Sequence, residues 1–141
     1  MVTRRERVPT QSIVPSDEAA LLLKACPDLQ EWPMRWRYDS ADLAPGAALV
    51  DEFKPFLLDM LRSELAKKTF NRHRDNLWLV GGELIRRRRA DPKIERLPID
   101  KLIQLEIDEE GGPLIYGHTS EALQREVDAT CRKFYRFLNT K

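Results

Sequence analysis

No apolar run in this chain exceeds a handful of residues, whereas a membrane-spanning helix needs roughly 20. The expectation is a soluble protein with no membrane partner. Cysteine is scarce: Cys26 and Cys131 are the only two, and they form no C-x-x-C pair. With no signal peptide recognised, that fits a reduced, cytoplasmic setting better than a disulfide-rich secreted scaffold, although a Cys26–Cys131 bridge stays open. Histidine is as rare. His73 and His118 stand far apart, neither with a His or Cys at metal-ligand spacing, so no zinc site is expected. Most catalytic signatures are missing too. His73, Arg74 and Asp75 spell the H-R-D of a kinase catalytic loop, but the glycine-rich loop, D-F-G and the later Asn are absent. Gly81-Gly82 lacks the further glycines and Lys-Ser/Thr of a phosphate-binding loop. Asp108, Glu109 and Glu110 lack calcium-loop spacing and read as a solvated acidic loop. These absences leave no candidate catalytic residue, metal or cofactor and favour a non-enzymatic binding module.

The formal net charge is only +1, but it is segregated. From Lys67 to Arg96 ten Lys and Arg face four acids, a surplus of six positive charges. From Asp100 to Asp128 eight acids face Lys101 and Arg125, a surplus of six negative charges. Fields act within a Debye length of about 8–10 Å, so overall neutrality does not cancel a local basic surface of the kind that binds polyanions. Lys67, Lys68, Arg72 and Arg74 form one candidate cationic site, with Asn71 a donor to base or phosphate. Lys68 and Arg72 share a helix face. Arg86, Arg87, Arg88 and Arg89 form a second, and four consecutive positions point around a whole helix, so they cannot all serve one local pair. The bland alternative is a solvated helix C-terminus, where cations oppose the macrodipole and the following acidic stretch screens them.

A chain of 141 residues is one domain's worth and can bury about two-thirds of its unfolded surface. Met1 to Pro15, with Arg4, Arg5 and Arg7, reads as a tail, and Ser16 as the N-cap of a short helix ending at Ala25 before Pro27. Pro27 to Val50 reads as an irregular arm. Within it Trp32, Met34, Trp36 and Tyr38 alternate with Pro33, Arg35 and Arg37, which places four large side chains on one face of an extended segment. Such a strip either packs on its own domain or stacks on a partner's bases, with the two arginines supplying charge. From Asp51 the period is helical. Phe53, Phe56, Leu57, Met60, Leu61 and Leu65 form a core stripe, with Pro55 placed in the first turn. Thr69 caps a second helix to Arg89 whose inner line is Phe70, His73, Leu77, Gly81 and Leu84, with Trp78 and Ile85 on its flank. Gly81 and Gly82 lose about 2 kcal/mol of helix propensity, which predicts a close approach there or a kink. Residues 97–116 suit a helix started by Pro98 better than a hairpin. Thr119 or Ser120 caps a last helix lined by Leu123, Val127, Cys131, Phe134 and Leu138 and ended by Asn139.

The order "FKPFLLDML", "KKTFNRHRDNLWLVGGELI", "LPIDKLIQLEI" and "TSEALQREVDATCRKFYRFL", over about Phe53 to Leu138, resembles the helical, SAM-like core-binding domain of tyrosine recombinases and phage integrases. The resemblance implies DNA binding, with Lys67, Lys68, Thr69, Arg72 and Arg74 matching the helix start that faces DNA in that family. It implies no strand cleavage, because no His-x-x-Arg, second arginine or terminal tyrosine nucleophile can be assigned. The sequence thus predicts a mainly α protein: a bundle of four to five helices over 51–141, preceded over 1–50 by a tail, a short helix and an extended arm. Its expected partner is nucleic acid, DNA by resemblance. The alternative is an acidic protein surface, including that of a second copy in a homodimer.

Overall fold

The computed structural model describes residues 13–63, 65–117 and 120–140. Seven α-helices account for most of them: α1 (Ile13–Ala25), α2 (Trp32–Trp36), α3 (Leu43–Arg62), α4 (Lys67–Ala90), α5 (Pro92–Glu95), α6 (Ile99–Glu106) and α7 (Glu121–Asn139). Among the described residues the one strand-like pairing is the Asp108–Gly111 bridge that closes the turn after α6. The mainly α class holds. Residues 1–12, including Arg4, Arg5 and Arg7, and His118 and Thr119 lie outside the described residues.

The central pair is α3 and α4, with α7 laid against α4 and α1, α2 and α6 against α3. Phe134 of α7 is fully buried between Phe53 and Phe56, at ring-centroid distances of 5.5 and 5.1 Å. Val127 and Cys131 extend that line, while Leu123 and Leu138 at its ends are only partly covered. On α4 the buried residues include Phe70, Leu77, Val80, Gly81, Leu84 and Ile85. Ser120 caps α7, its side chain accepting from Leu123 N–H, and α6 follows Pro98. Both cysteines are free and buried.

The N-terminal third departs most from expectation. Ile13, Val14 and Pro15 are already helical, and Ser16 lies inside α1 rather than capping it. A proline is tolerated there because first-turn N–H groups lack intrahelical partners anyway. Of the segment expected to be extended, Trp32 to Tyr38, the part Trp32–Trp36 is instead a short helix with Pro33 in its first turn, and Arg37 leaves it in an extended conformation. Helical i, i+4 spacing then brings Trp32 and Trp36 together, ring centroids 5.6 Å apart and both buried. Met34 and Tyr38 point outward. The helix expected from Asp51 already begins at Leu43, so Pro55 sits mid-helix and not in a first turn. It lies on the exposed face, where water can take the carbonyl that its missing N–H leaves free. Thr69 is not a cap: α4 starts at Lys67 behind Ala66, which has no capping side chain.

Gly81 and Gly82 mark a close approach rather than a kink. The Trp36 indole lies across α4 there, and its Nε1 donates to Trp78 O at 2.9 Å. A Cβ built on Gly81 would stand 2.2 Å from Trp36 Cζ2, whereas one on Gly82 would stand 3.2 Å from Trp36 Cδ1. Gly81→Ala should therefore lower the melting temperature by the equivalent of about 1–3 kcal/mol despite better helix propensity, because the indole must leave its bonded position. Gly82→Ala should stay within about 1 kcal/mol of wild type. Equal thermal melts for the two would overturn this account of the contact.

Candidate functional site

The ten cationic and polar residues singled out from the sequence all lie on α4, but they do different things. Arg74 is built into the fold: it pairs with Asp28 and with Asp75, donates to Cys26 Sγ at 3.2 Å and lies 5.7 Å from the Trp32 ring centroid. Burial lifts the Asp28 carboxyl, but hydrogen bonds from Trp32 and the charge of Arg74 outweigh it and hold it below the usual range.

Arg86 to Arg89 fan around the helix, and each is bonded to another part of the protein or to its own helix. Arg86 and Arg87 converge on buried Glu83, at 2.7 and 3.0 Å, and Arg87 reaches Glu106 at 2.9 Å. Arg88 donates to Glu95 O, and Arg89 reaches Asp39 at 2.8 Å and buried Asp42 at 3.4 Å. Glu83 also accepts the Tyr116 N–H at 2.9 Å. Burial pushes the Glu83 carboxyl up, yet the bonds from Arg86, Tyr116 and Arg87 prevail and hold it below the ordinary glutamate range. These arginines fasten the α2–α3 segment, α6 and the 113–117 loop to α4.

The other end of α4 is different. Lys67, Lys68, Asn71 and Arg72, with Asp75, line a shallow, open depression. Lys67, Lys68 and Arg72 have no ion-pair partner among the described residues, and Thr69 beside them is half-buried. No acidic residue stands in this first turn. Cations at the positive end of a helix dipole cost about 0.3–1 kcal/mol each where anions would gain as much. Stability does not explain them.

Sequence reasoning missed what lies behind this face. His73 Nδ1 meets Thr130 Oγ1 at 2.8 Å, and Asn76 Nδ2 donates to the same oxygen at 2.9 Å and to Glu126 O at 3.2 Å. With Thr130 accepting from Asn76, its hydroxyl hydrogen is free to donate to a neutral imidazole. Burial, then the nearby charges of Lys133 and Arg72, keeps the His73 pKa below its ordinary value. Thr130, a polar residue inside the apolar stripe of α7, was the one available signal. The buried Cys131 thiol is pushed up to about 12 by burial and by the charge of Asp128.

A second concavity, of about 360 Å³, lies between α2, α4 and the 113–117 loop. Its lining includes Trp36, Gly82 and Glu83 together with Arg35, Arg37, Tyr38, Trp78, Arg86 and Tyr116. Among the described residues no three His, Cys, Asp or Glu side chains are grouped to hold a metal ion. No family model matches the chain, and neither a curated protein nor a solved structure does.

Proposed function

We propose that this protein is a non-enzymatic nucleic-acid-binding module whose phosphate contacts are made by Lys67, Lys68 and Arg72, with Asn71 as a neutral donor. The reading rests on one observation: these cations crowd the positive end of a long helix without ion-pair partners among the described residues. An arrangement that costs folding energy is favourable to a polyanion, which takes up both the side-chain charge and the free first-turn N–H groups. The resemblance to integrase core-binding domains supports the same end of α4 and suggests DNA. Arg74 and Arg86 to Arg89 contribute to the field but spend their hydrogen bonds on the fold.

Reversing Lys68 and Arg72 together to Glu should abolish binding to random-sequence DNA without lowering stability; the melting temperature should rise slightly, because a carboxylate at this end of the helix gains about 0.3–1 kcal/mol where the cation cost as much. The milder Lys68→Gln should reduce the slope of log K against log salt by about one. A second readout comes from His73: phosphates set against Arg72 and Lys133 would offset the cations that hold its pKa down, so bound DNA should raise it in an NMR titration. Unchanged binding and salt slope in the reversal variant would defeat the proposal. A second copy is the competing partner, because Glu109 and Glu110 are exposed with no ion pair among the described residues. In that case the reversal should dissociate an oligomer in light scattering, and Glu109→Lys with Glu110→Lys should partly restore it.

A further inference from the structure

Three of the four rings that line the second concavity are held in place yet keep exposed area. Tyr38 is 59% exposed, Tyr116 74% and Trp78 37%, although burying a large aromatic ring is normally favourable. Their backbones are all pinned. Tyr38 N–H donates to buried Asp42 at 2.8 Å, Tyr116 N–H to buried Glu83 at 2.9 Å, and Trp78 O accepts the Trp36 indole N–H at 2.9 Å. Two of the rings carry arginines: Arg86 stands 4.4 Å from the Tyr116 centroid and Arg89 5.0 Å from that of Tyr38. The result is a ligand-sized cleft with aromatic faces and a positive rim.

The cleft also continues the cationic end of α4. At 100° per residue, Lys68, Asn71, Asp75, Trp78, Gly82, Arg86 and Arg89 fall within an 80° sector of one helix face, and from Lys68 to Arg86 the helix rises about 27 Å. Phosphate-binding groups at one end and open rings at the other therefore share a track. The single carboxylate on it, Asp75, is paired with Arg74.

We propose that the cleft takes unpaired bases of a single-stranded nucleic acid, stacked on Trp78, Tyr116 and Tyr38, while its phosphates follow α4 to Lys67, Lys68 and Arg72. This rests on the nucleic-acid reading above and narrows it. A duplex hides the faces of its bases, so exposed rings beside arginines suit a single strand, and charge complementarity favours a polyanion over a neutral peptide.

Fluorescence anisotropy with three labelled 12-nucleotide probes tests it: oligo-dT, the same strand with its bases removed, and the dT·dA duplex. The intact chain should bind oligo-dT at least about tenfold more tightly than the abasic strand. Trp78→Ala and Tyr116→Ala should each weaken oligo-dT binding about tenfold without altering the salt slope or abasic-strand binding, and Trp78→Phe should retain most of it. Both substitutions spare the pinned backbone atoms, and circular dichroism melts confirm folding. If the ring variants bind oligo-dT as wild type does, the strand is held through phosphates alone: the cleft inference falls and the nucleic-acid reading stands. If none of the probes binds at low salt, both fall.

Discussion

Phe134→Ala should unfold most of the protein at temperatures where the wild type is fully native. Its ring is fully buried and in contact with Phe53 and Phe56, so truncation removes apolar burial and leaves a cavity where α3 and α7 meet. Such losses cost about 3–5 kcal/mol. A domain of this size has a total stability of only about 5–15 kcal/mol, so the melting transition should fall by many degrees. Phe134→Leu, which keeps most of the volume, should cost about half as much or less. A melting temperature unchanged in the alanine variant would mean that α3 and α7 are not packed through this ring.

The second large effect is at Glu83. Glu83→Ala deprives Arg86, Arg87 and the Tyr116 N–H of their shared acceptor. Breaking a buried ion pair from one side costs about 3–5 kcal/mol, but Arg86 and Arg87 are 33% and 29% exposed and can recover water. We expect about 2–3 kcal/mol. The pH dependence has a definite sign. The folded carboxyl titrates below the roughly 4.3 of an unfolded glutamate, so the unfolded chain binds the proton more readily. The contribution of Glu83 is complete above that value and is lost as pH falls through the folded pKa. Thermal melts from neutral to acid pH should therefore converge for wild type and Glu83→Ala at the acid end. Parallel curves would show that Glu83 is not the acceptor described.

The helices that were legible in the sequence are those whose apolar period was long and uninterrupted. The line through Val127, Cys131 and Phe134 could belong only to a helix with one buried face, and Ser120 is a side chain suited to starting it. Trp32, Met34, Trp36 and Tyr38 misled because two periods fit four residues. Alternation placed all four on one face, but the i, i+4 pair alone carries the burial, and the choice is settled by Gly81, some 45 positions away, which a local pattern does not register. A proline misled in a related way. Pro55 reads as a first-turn residue because a proline there is harmless, yet α3 runs through it on a solvent-facing side, where water can take the lost hydrogen bond. In the basic cluster, charge and position were readable but partners were not. Asp28, Asp39, Asp42, Glu83 and Glu106 are scattered along the chain, and only the fold decides which arginine each one meets.

The links from the N-terminal segment to α4 run in one direction: Asp28 to Arg74, Trp36 to Trp78, Asp39 to Arg89. They span 46, 42 and 50 residues. Closing a loop of that length costs entropy that grows only with the logarithm of its length, and once one link is made the next closes a loop of only about a dozen residues. The first link therefore bears the largest entropic penalty, and the others, whose partners α4 already holds in line, follow at lower cost. The three ties therefore reinforce one another, and the segment is expected to dock along α4 as one long clasp rather than through three independent ties.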